Sequence, residues 1–514
     1  MKQVFYLIIC LSLIITTNSC RKDLDFGPSS GNLEFSKDTV YLDTVFSNIG
    51  SSTYNLKVYN RSDEDINIPT LRLAQGEASN YRLNVDGMPG KVFENVQVLA
   101  KDSIFIFIET TFNVNSLPTN PKEFLYTDQL LFDSGGNEQK VELVTLVKDA
   151  IFLFPERYAD GTTETLNLGT DEDGEDILVK GFLLEDDELT FTNQKPYVIY
   201  GYAAVPNNKT LTVEAGARVH FHDGSGIIVA ENASIKSLGL PSLDREAMEN
   251  EVIFEGDRLE PGFADVPGQW LTIWLTSGSV DNEFNYTTIK NSTVGILMED
   301  CPVILKNVQI YNSTNVGLLS RTGSIEAENM VINNSGQSSL AIQLGGSYEF
   351  RHCTFANYWT NGFRSFPAVS LDNSLETADQ IFVADLIKAD FKNCIIYGNE
   401  RREFSLFQNT EAAFNFNFEN CLLRFEDPTG EFGDDPLYDF GNSTLYTSTV
   451  FNADPVFQNT ELNNFNIEKN NSAAEEIGKI GVGPSKDLNG RDRPSPPSTN
   501  PDAGAYESIE FPAE

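Results

Sequence analysis

Six hexapeptides in the second half of the chain align under one another without a gap, and no other sequence feature restricts the fold as tightly. They occupy residues 284–289, 305–310, 327–332, 350–355, 391–396 and 418–423, with starts separated by 21, 22, 23, 41 and 27 residues. A fixed period slightly above 20 residues marks a solenoid, in which each repeat buries its apolar side only against its neighbours. Such a period suits one coil of three short strands and three turns. The step of 41 reads as one coil carrying an insertion, roughly residues 360–388, or as two coils of which one is degenerate.

The third position of the repeat is Tyr286, Asn307, Asn329, His352, Asn393 and Asn420. Asparagine tolerates the bent backbone of a corner, and stacked amides can hydrogen-bond from coil to coil. The fourth position is Thr287, Val308, Met330, Cys353, Cys394 and Cys421. Three cysteines at one point of neighbouring coils read as a buried thiol stack, because free cysteine packs as a small hydrophobe. With Cys301 they lack the close paired spacing of a zinc site. Disulfides and a metal site remain the alternatives.

Residues 32–150 carry a different pattern of short alternating strands, separated by turn signals such as Asp86-Gly87 and Gly135-Gly136. About 120 residues of this kind fit an immunoglobulin-like β-sandwich. The fold class expected is all-β, a right-handed parallel β-helix preceded by that sandwich. Residues 151–200 connect the two, residues 201–450 form the β-helix, and residues 451–514 form a C-terminal closing module.

The first nineteen residues have one charged side chain, Lys2, and an apolar run at 4–15 interrupted only by Ser12. Twelve residues are too few to span a bilayer, which needs about 20, but they suit a signal-peptide core. Cys20 follows a short polar stretch that resembles a relaxed lipobox. That resemblance implies cleavage before Cys20 and diacylglycerol on its thiol, with residues 20–31 as a flexible tether.

The net charge of −39, from 36 basic and 75 acidic residues, repels the phosphate backbone and argues against nucleic acid as a partner. It equally repels anionic lipid, so membrane association is expected through the anchor.

The segments 213–229 and 268–270, the run 393–399 and the endings Asp454-Pro-Val-Phe457, 487–491 and 502–507 resemble Bacteroidota surface lipoproteins with β-helix repeats. The endings are similar to the module that closes bacterial surface β-helices, the choice-of-anchor Q type. This resemblance implies an outer-membrane location facing the exterior. Asp38-Thr39-Val40, Asp43-Thr44-Val45 and Asp102-Ser103-Ile104 resemble the O-glycosylation signal of exported proteins of that group, which would modify Thr39, Thr44 and Ser103.

Chemistry is harder to place. Trp270 and Trp274 alternate with Leu271 and Ile273, so both fall on the outer side if the aliphatic pair points inward, as an aromatic platform for sugar rings. A seal against a neighbouring loop is the rival reading. Asp171, Asp173 and Asp176 form an oxygen-rich stretch of the kind that holds Ca²⁺, although no glutamate completes an EF-hand loop. His220 and His222, with Asp223 beside them, share one side of a strand and lack a clear third ligand. Asp434-Asp435 is a carboxylate pair outside the ladder, and Arg351, Arg364, Arg401 and Arg402 are scattered around the insertion. The Asn-Thr-Asp, Gly-His-Gly and Arg-Ile-Lys motifs of the polygalacturonase kind do not occur. The function expected is a non-catalytic glycan-binding or adhesive surface module whose partner is a glycan or another surface protein. The alternative is a polysaccharide lyase or glycoside hydrolase acting on an acidic glycan.

Overall fold

A computed structural model describes residues 26–114, 123–133, 138–171, 174–244, 247–377 and 380–512. Cys20, the signal segment before it and Asp173 lie outside the described residues. The chain divides into two compact units between Asp149 and Ala150.

Alternation shapes the first unit. Along Ser103–Thr110, Ile104, Ile106 and Ile108 are buried while Phe105 and Phe107 face solvent, the period of two of a half-buried strand. This strand pairs antiparallel with Tyr54–Tyr59 and Tyr81–Val85. In a second sheet Ile66–Leu73 pairs with Val92–Val98 and Glu123–Phe132, and Gln139–Lys148 and Thr39–Phe46 continue it. The two sheets share one core, in which Val40, Leu56, Ile68, Tyr81, Ile106 and Leu143 are fully buried.

The second unit is a parallel β-solenoid of three-sided coils. Pro302–Ser313 forms the first and second sides and turns at Asn307, Val316–Arg321 forms the third, and Ser324–Glu328 starts the next coil. Strands of successive coils pair in parallel. Phe284, Leu305, Ala327, Phe350, Phe391 and Phe418 are consecutive register partners, so the aligned hexapeptides mark one position on one side of the solenoid. Their rings stack where three phenylalanines follow one another, with centroids 4.8 and 4.9 Å apart. Burying each such side chain contributes about 1.5–3 kcal/mol.

The third repeat position is the corner. Tyr286, Asn307, Asn329, His352, Asn393 and Asn420 all have φ between 41° and 55°, the left-handed region in which asparagine is the least strained residue with a branched polar side chain. Asn307 Nδ2 donates to Asn285 Oδ1 at 3.2 Å and Asn329 Nδ2 to Asn307 Oδ1 at 2.9 Å. Cys353, Cys394 and Cys421 are free and fully buried, each backbone N–H of the first two lying 3.4 Å from the next sulfur.

Phe350 pairs directly with Phe391, so the 41-residue step is a single enlarged coil. Its extra residues fall in two places. One is the loop 358–368 before the third-side strand Val369–Asp372; the other is the hairpin of Ser374–Glu376 with Ile381–Val383 after it.

The C-terminal segment packs along the outer side of the second side, where the sequence suggested a closing module. The reason is visible in paired apolar residues: Ile396 and Leu423 point into the solenoid core, while Ile395 and Leu422 point outward. The outward set, with Val331 and Ala356, is covered by Phe465, Ile467, Leu488, Ala503 and Tyr506. Residues 477–486 also run down the asparagine corner. Asn420, Asn393 and Asn329 donate to the carbonyls of Ile477, Lys479 and Lys486, and His352 Nε2 lies 3.1 Å from Val482 O. The core beyond the last full coil is covered by residues 425–446, through Phe425, Tyr438 and Tyr446 against Phe404 and Phe418.

Candidate functional site

On the third side every second residue points outward. Val369 and Leu371 are buried while Ser370 and Asp372 turn out; in the next coil Phe404 and Leu406 are buried while Ser405 and Phe407 turn out. Register places Ser370 beside Ser405 and Asp372 beside Phe407. In the preceding coil Ile342 pairs with Leu371, which brings Gln343 to the level of Asp372.

The two insertions of the enlarged coil wall this surface. Ser365, Phe366 and Pro367 rise on one side, and Ser374, Glu376 and Ile381 on the other. Arg402, just before the strand that begins at Phe404, and Phe432, Asp435 and Tyr438 from the covering residues 425–446 complete the lining. The result is a groove of two cavities, about 650 and 510 Å³, that share Leu406, Phe407 and Asp435. Phe407 is 57% exposed and Phe366 49%, a large apolar surface to leave uncovered beside the polar groups of the recess.

The polar groups are held in defined poses. Asp372 Oδ1 accepts from Ser374 N at 2.7 Å and Ser374 Oγ at 2.8 Å. Its Oδ2 accepts no hydrogen bond from the described residues. Burial pushes the Asp372 carboxyl upward, against the two bonds from Ser374. Ser405 Oγ donates to Ser370 Oγ at 3.3 Å. Arg321 Nε donates to Gln343 Oε1 at 3.2 Å, which fixes that amide with its NH2 unengaged among the described residues. Asp435 Oδ1 accepts from Leu437 N and caps the short turn Pro436–Tyr438.

One wall is anchored from behind. Arg364 and Glu403 are fully buried and paired twice, Nη2 to Oε1 at 2.7 Å and Nη1 to Oε2 at 2.9 Å. Arg364 also donates to Asn357 O, Phe366 O and Asn399 Oδ1, tying the loop 358–368 to the coil. Burial pushes the Glu403 carboxyl up and the guanidinium opposes it. Removing one partner of such a pair strands a buried charge at a cost of about 3–5 kcal/mol.

The sequence pointed elsewhere for the aromatic platform. Trp270 is fully buried, stacked on Phe221 with centroids 4.2 Å apart, and its Nε1 donates to Lys290 O at 2.8 Å. Alternation fails there because the strand begins only at Ile273, and Trp270 makes an isolated bridge to Ser292. Trp274 does face outward, half-buried between Ile228 and Leu297, with Nε1 donating to Glu299. The two tryptophans therefore form no common platform.

His222 Nδ1 lies 2.8 Å from Asp257 Oδ2, whereas His220 is buried with Nδ1 3.2 Å from Gly256 O. Among the described residues no three His, Cys, Asp or Glu side chains converge as a metal site. Asp171 Oδ1 accepts from Glu175 N in a turn and Asp176 opens a strand; Asp173, between them, lies outside the described residues. Thr39, Thr44 and Ser103 are half-buried in strands of the first unit. Of the four arginines, Arg402 alone lines the groove, Arg364 braces it, and Arg351 pairs with Glu328 and Glu349 on the first side. Of the Asp434-Asp435 pair, Asp435 lines both cavities. Asp372, Phe366 and Phe407 were not singled out by sequence, although the 41-residue step marked the coil that carries the first two.

No protein-family model matches the chain, and no curated protein matches its sequence. Among solved structures, a family 123 glycoside hydrolase from Clostridium perfringens aligns over 24% of this chain at 8% identity, with a TM-score of 0.16. The chain spans 31% of that protein's length. The catalytic unit of a thermostable GH87 α-1,3-glucanase from Streptomyces thermodiastaticus aligns over 77% of this chain and 88% of its own, at 10% identity and a TM-score of 0.17. Likenesses at these scores carry no functional weight.

Proposed function

We propose that this chain is a lipid-anchored cell-surface protein whose right-handed β-helix holds a glycan in the third-side groove without cleaving it. The observation that carries the reading is the meeting of exposed Phe407 and Phe366 with Ser370, Ser405, Asp372 and Gln343 in one open recess. A sugar ring has an apolar side of C–H groups and a rim of hydroxyls. Phenyl faces take the first, and fixed hydroxyl, amide and carboxylate groups take the second. In this reading the immunoglobulin-like unit is a spacer on a tether from Cys20 in the outer membrane.

A glycan array probed with the mature chain tests it. Phe407→Ala should weaken the strongest signal about tenfold, the loss expected for one stacked ring, and an unchanged signal would sink the assignment. For the anchor, Cys20→Ser should abolish lipid labelling and release the chain from the membrane fraction. Labelling that persists in the variant would remove Cys20 as the attachment point.

A second reading rests on Asp372 and Asp435 lining the same cavity. A carboxyl raised by burial can serve as a general acid beside a second carboxylate, the arrangement of a glycoside hydrolase. New reducing ends that disappear in Asp372→Asn would favour this reading over binding alone.

A further inference from the structure

We propose that the groove selects glycans without carboxylate or sulfate groups, and prefers chains bearing free amino groups over neutral ones. This rests on the groove being the glycan site.

The charges around the recess decide it. Asp372, Glu376 and Asp435 face the two cavities, and among the described residues no lysine lines either of them. Arg402, the lining cation among the described residues, is committed elsewhere: it pairs with Asp427 at 3.2 Å and Glu431 at 2.9 Å and lies over the Phe432 ring at 4.5 Å. Arg364, buried behind the wall, has both terminal nitrogens engaged by Glu403 and neighbouring carbonyls and amide. Arg321, one strand beyond Gln343, is paired with Glu299 at 3.0 Å, so an anionic sugar would meet three carboxylates and only cations already paired to carboxylates. Like charges at such distances repel, and the field of a chain of net charge −39 adds to the repulsion.

An ammonium group meets the opposite situation. Asp372 Oδ2 is open, while Oδ1 is locked by Ser374, so the carboxylate is already oriented toward the groove. Phe407 is its immediate cross-strand neighbour. A ring stacked on Phe407 thus presents its substituents to Asp372 at hydrogen-bonding range. The Gln343 amide offers N–H donors on the same row to hydroxyl oxygens of the ring, leaving the ammonium to the Asp372 carboxylate. The acceptor at Asp372 then distinguishes an amine from a hydroxyl, since a charge-assisted bond is about twice as strong as a neutral one.

The test compares β-1,4-linked hexamers of glucosamine, glucose and glucuronic acid, titrated calorimetrically into the full mature chain at about 20 and about 150 mM salt. Glucosamine should bind about fivefold more tightly than glucose at low salt, the scale of one exposed ion pair, and glucuronic acid most weakly. The glucosamine advantage should shrink at the higher salt, where screening is stronger, and vanish in Asp372→Asn. Asp372→Asn keeps the acceptor for Ser374, and circular dichroism verifies its fold. Glucuronic acid binding as tightly as glucose overturns the selectivity, as does a glucosamine advantage that survives in Asp372→Asn, or no binding of glucosamine. Phe407→Ala separates the two levels. If it leaves every affinity unchanged, the glycan reading of the groove fails; if it weakens all of them while glucuronic acid still competes with glucose, only the selectivity fails.

Discussion

Glu507 shows how a single residue ties the stability of the second unit to pH. It is fully buried 3.5 Å from Arg493, and its oxygens accept N–H groups from Ser495 and Asp502. Burial pushes its carboxyl up to about 7, the Asp502 carboxylate adds to the rise, and Arg493 opposes it. The folded state therefore holds this proton more tightly than the unfolded chain, whose carboxyl titrates near 4.5. Stabilisation from this group is complete below that value and is lost as pH rises through about 7, with an upper bound of about 3 kcal/mol. Urea unfolding of wild type and Glu507→Gln across pH 4.5 to 8 should show the wild type losing this increment and the variant keeping it. Parallel pH curves would contradict the assignment. Carboxylates such as Glu349, lowered to about 2 by Lys388 and its neighbours, act in the opposite sense and cancel in the comparison. At this scale the corner asparagines were legible, because a left-handed backbone restricts residue choice wherever it recurs. Trp270 was not, because alternation informs only inside a continuous strand.

At the scale of elements, the repeat told which strands stack and left open what covers them. The six hexapeptides are register partners, yet the same segments carry apolar residues pointing both ways, as Ile395 with Ile396 and Leu422 with Leu423 demonstrate. A strand apolar on both sides needs a cover on each. That cover is the C-terminal segment, whose strap at 477–486 also satisfies the corner amides. Removing residues 454–514 should expose Val331, Ala356, Ile395 and Leu422 together. Each buried apolar side chain is worth about 1.5–3 kcal/mol, so the truncated chain should melt at lower temperature and bind a hydrophobic dye. An unchanged melting temperature would mean that the coils are stable without their cover. The groove was half legible in the same way. The 41-residue step marked the coil that builds it, but one number could not show that the extra residues split around Val369–Asp372.

The molecule as a whole divides into two units, and the second, a solenoid, offers a recess with exposed aromatic rings and fixed polar groups. Net charge argues against nucleic acid and anionic lipid as partners, but charge in bulk could not say where a ligand sits. Placement depends on which residues a coil turns outward and which loops wall them. The most direct measurement is a crystal structure of the mature chain with the oligosaccharide that scores highest on the array. The account predicts a sugar ring against Phe407, with hydroxyl or amino groups within hydrogen-bonding distance of Asp372 Oδ2 and Gln343. A ring bound instead at Trp274 or on the first unit, with the third-side groove empty, would contradict it.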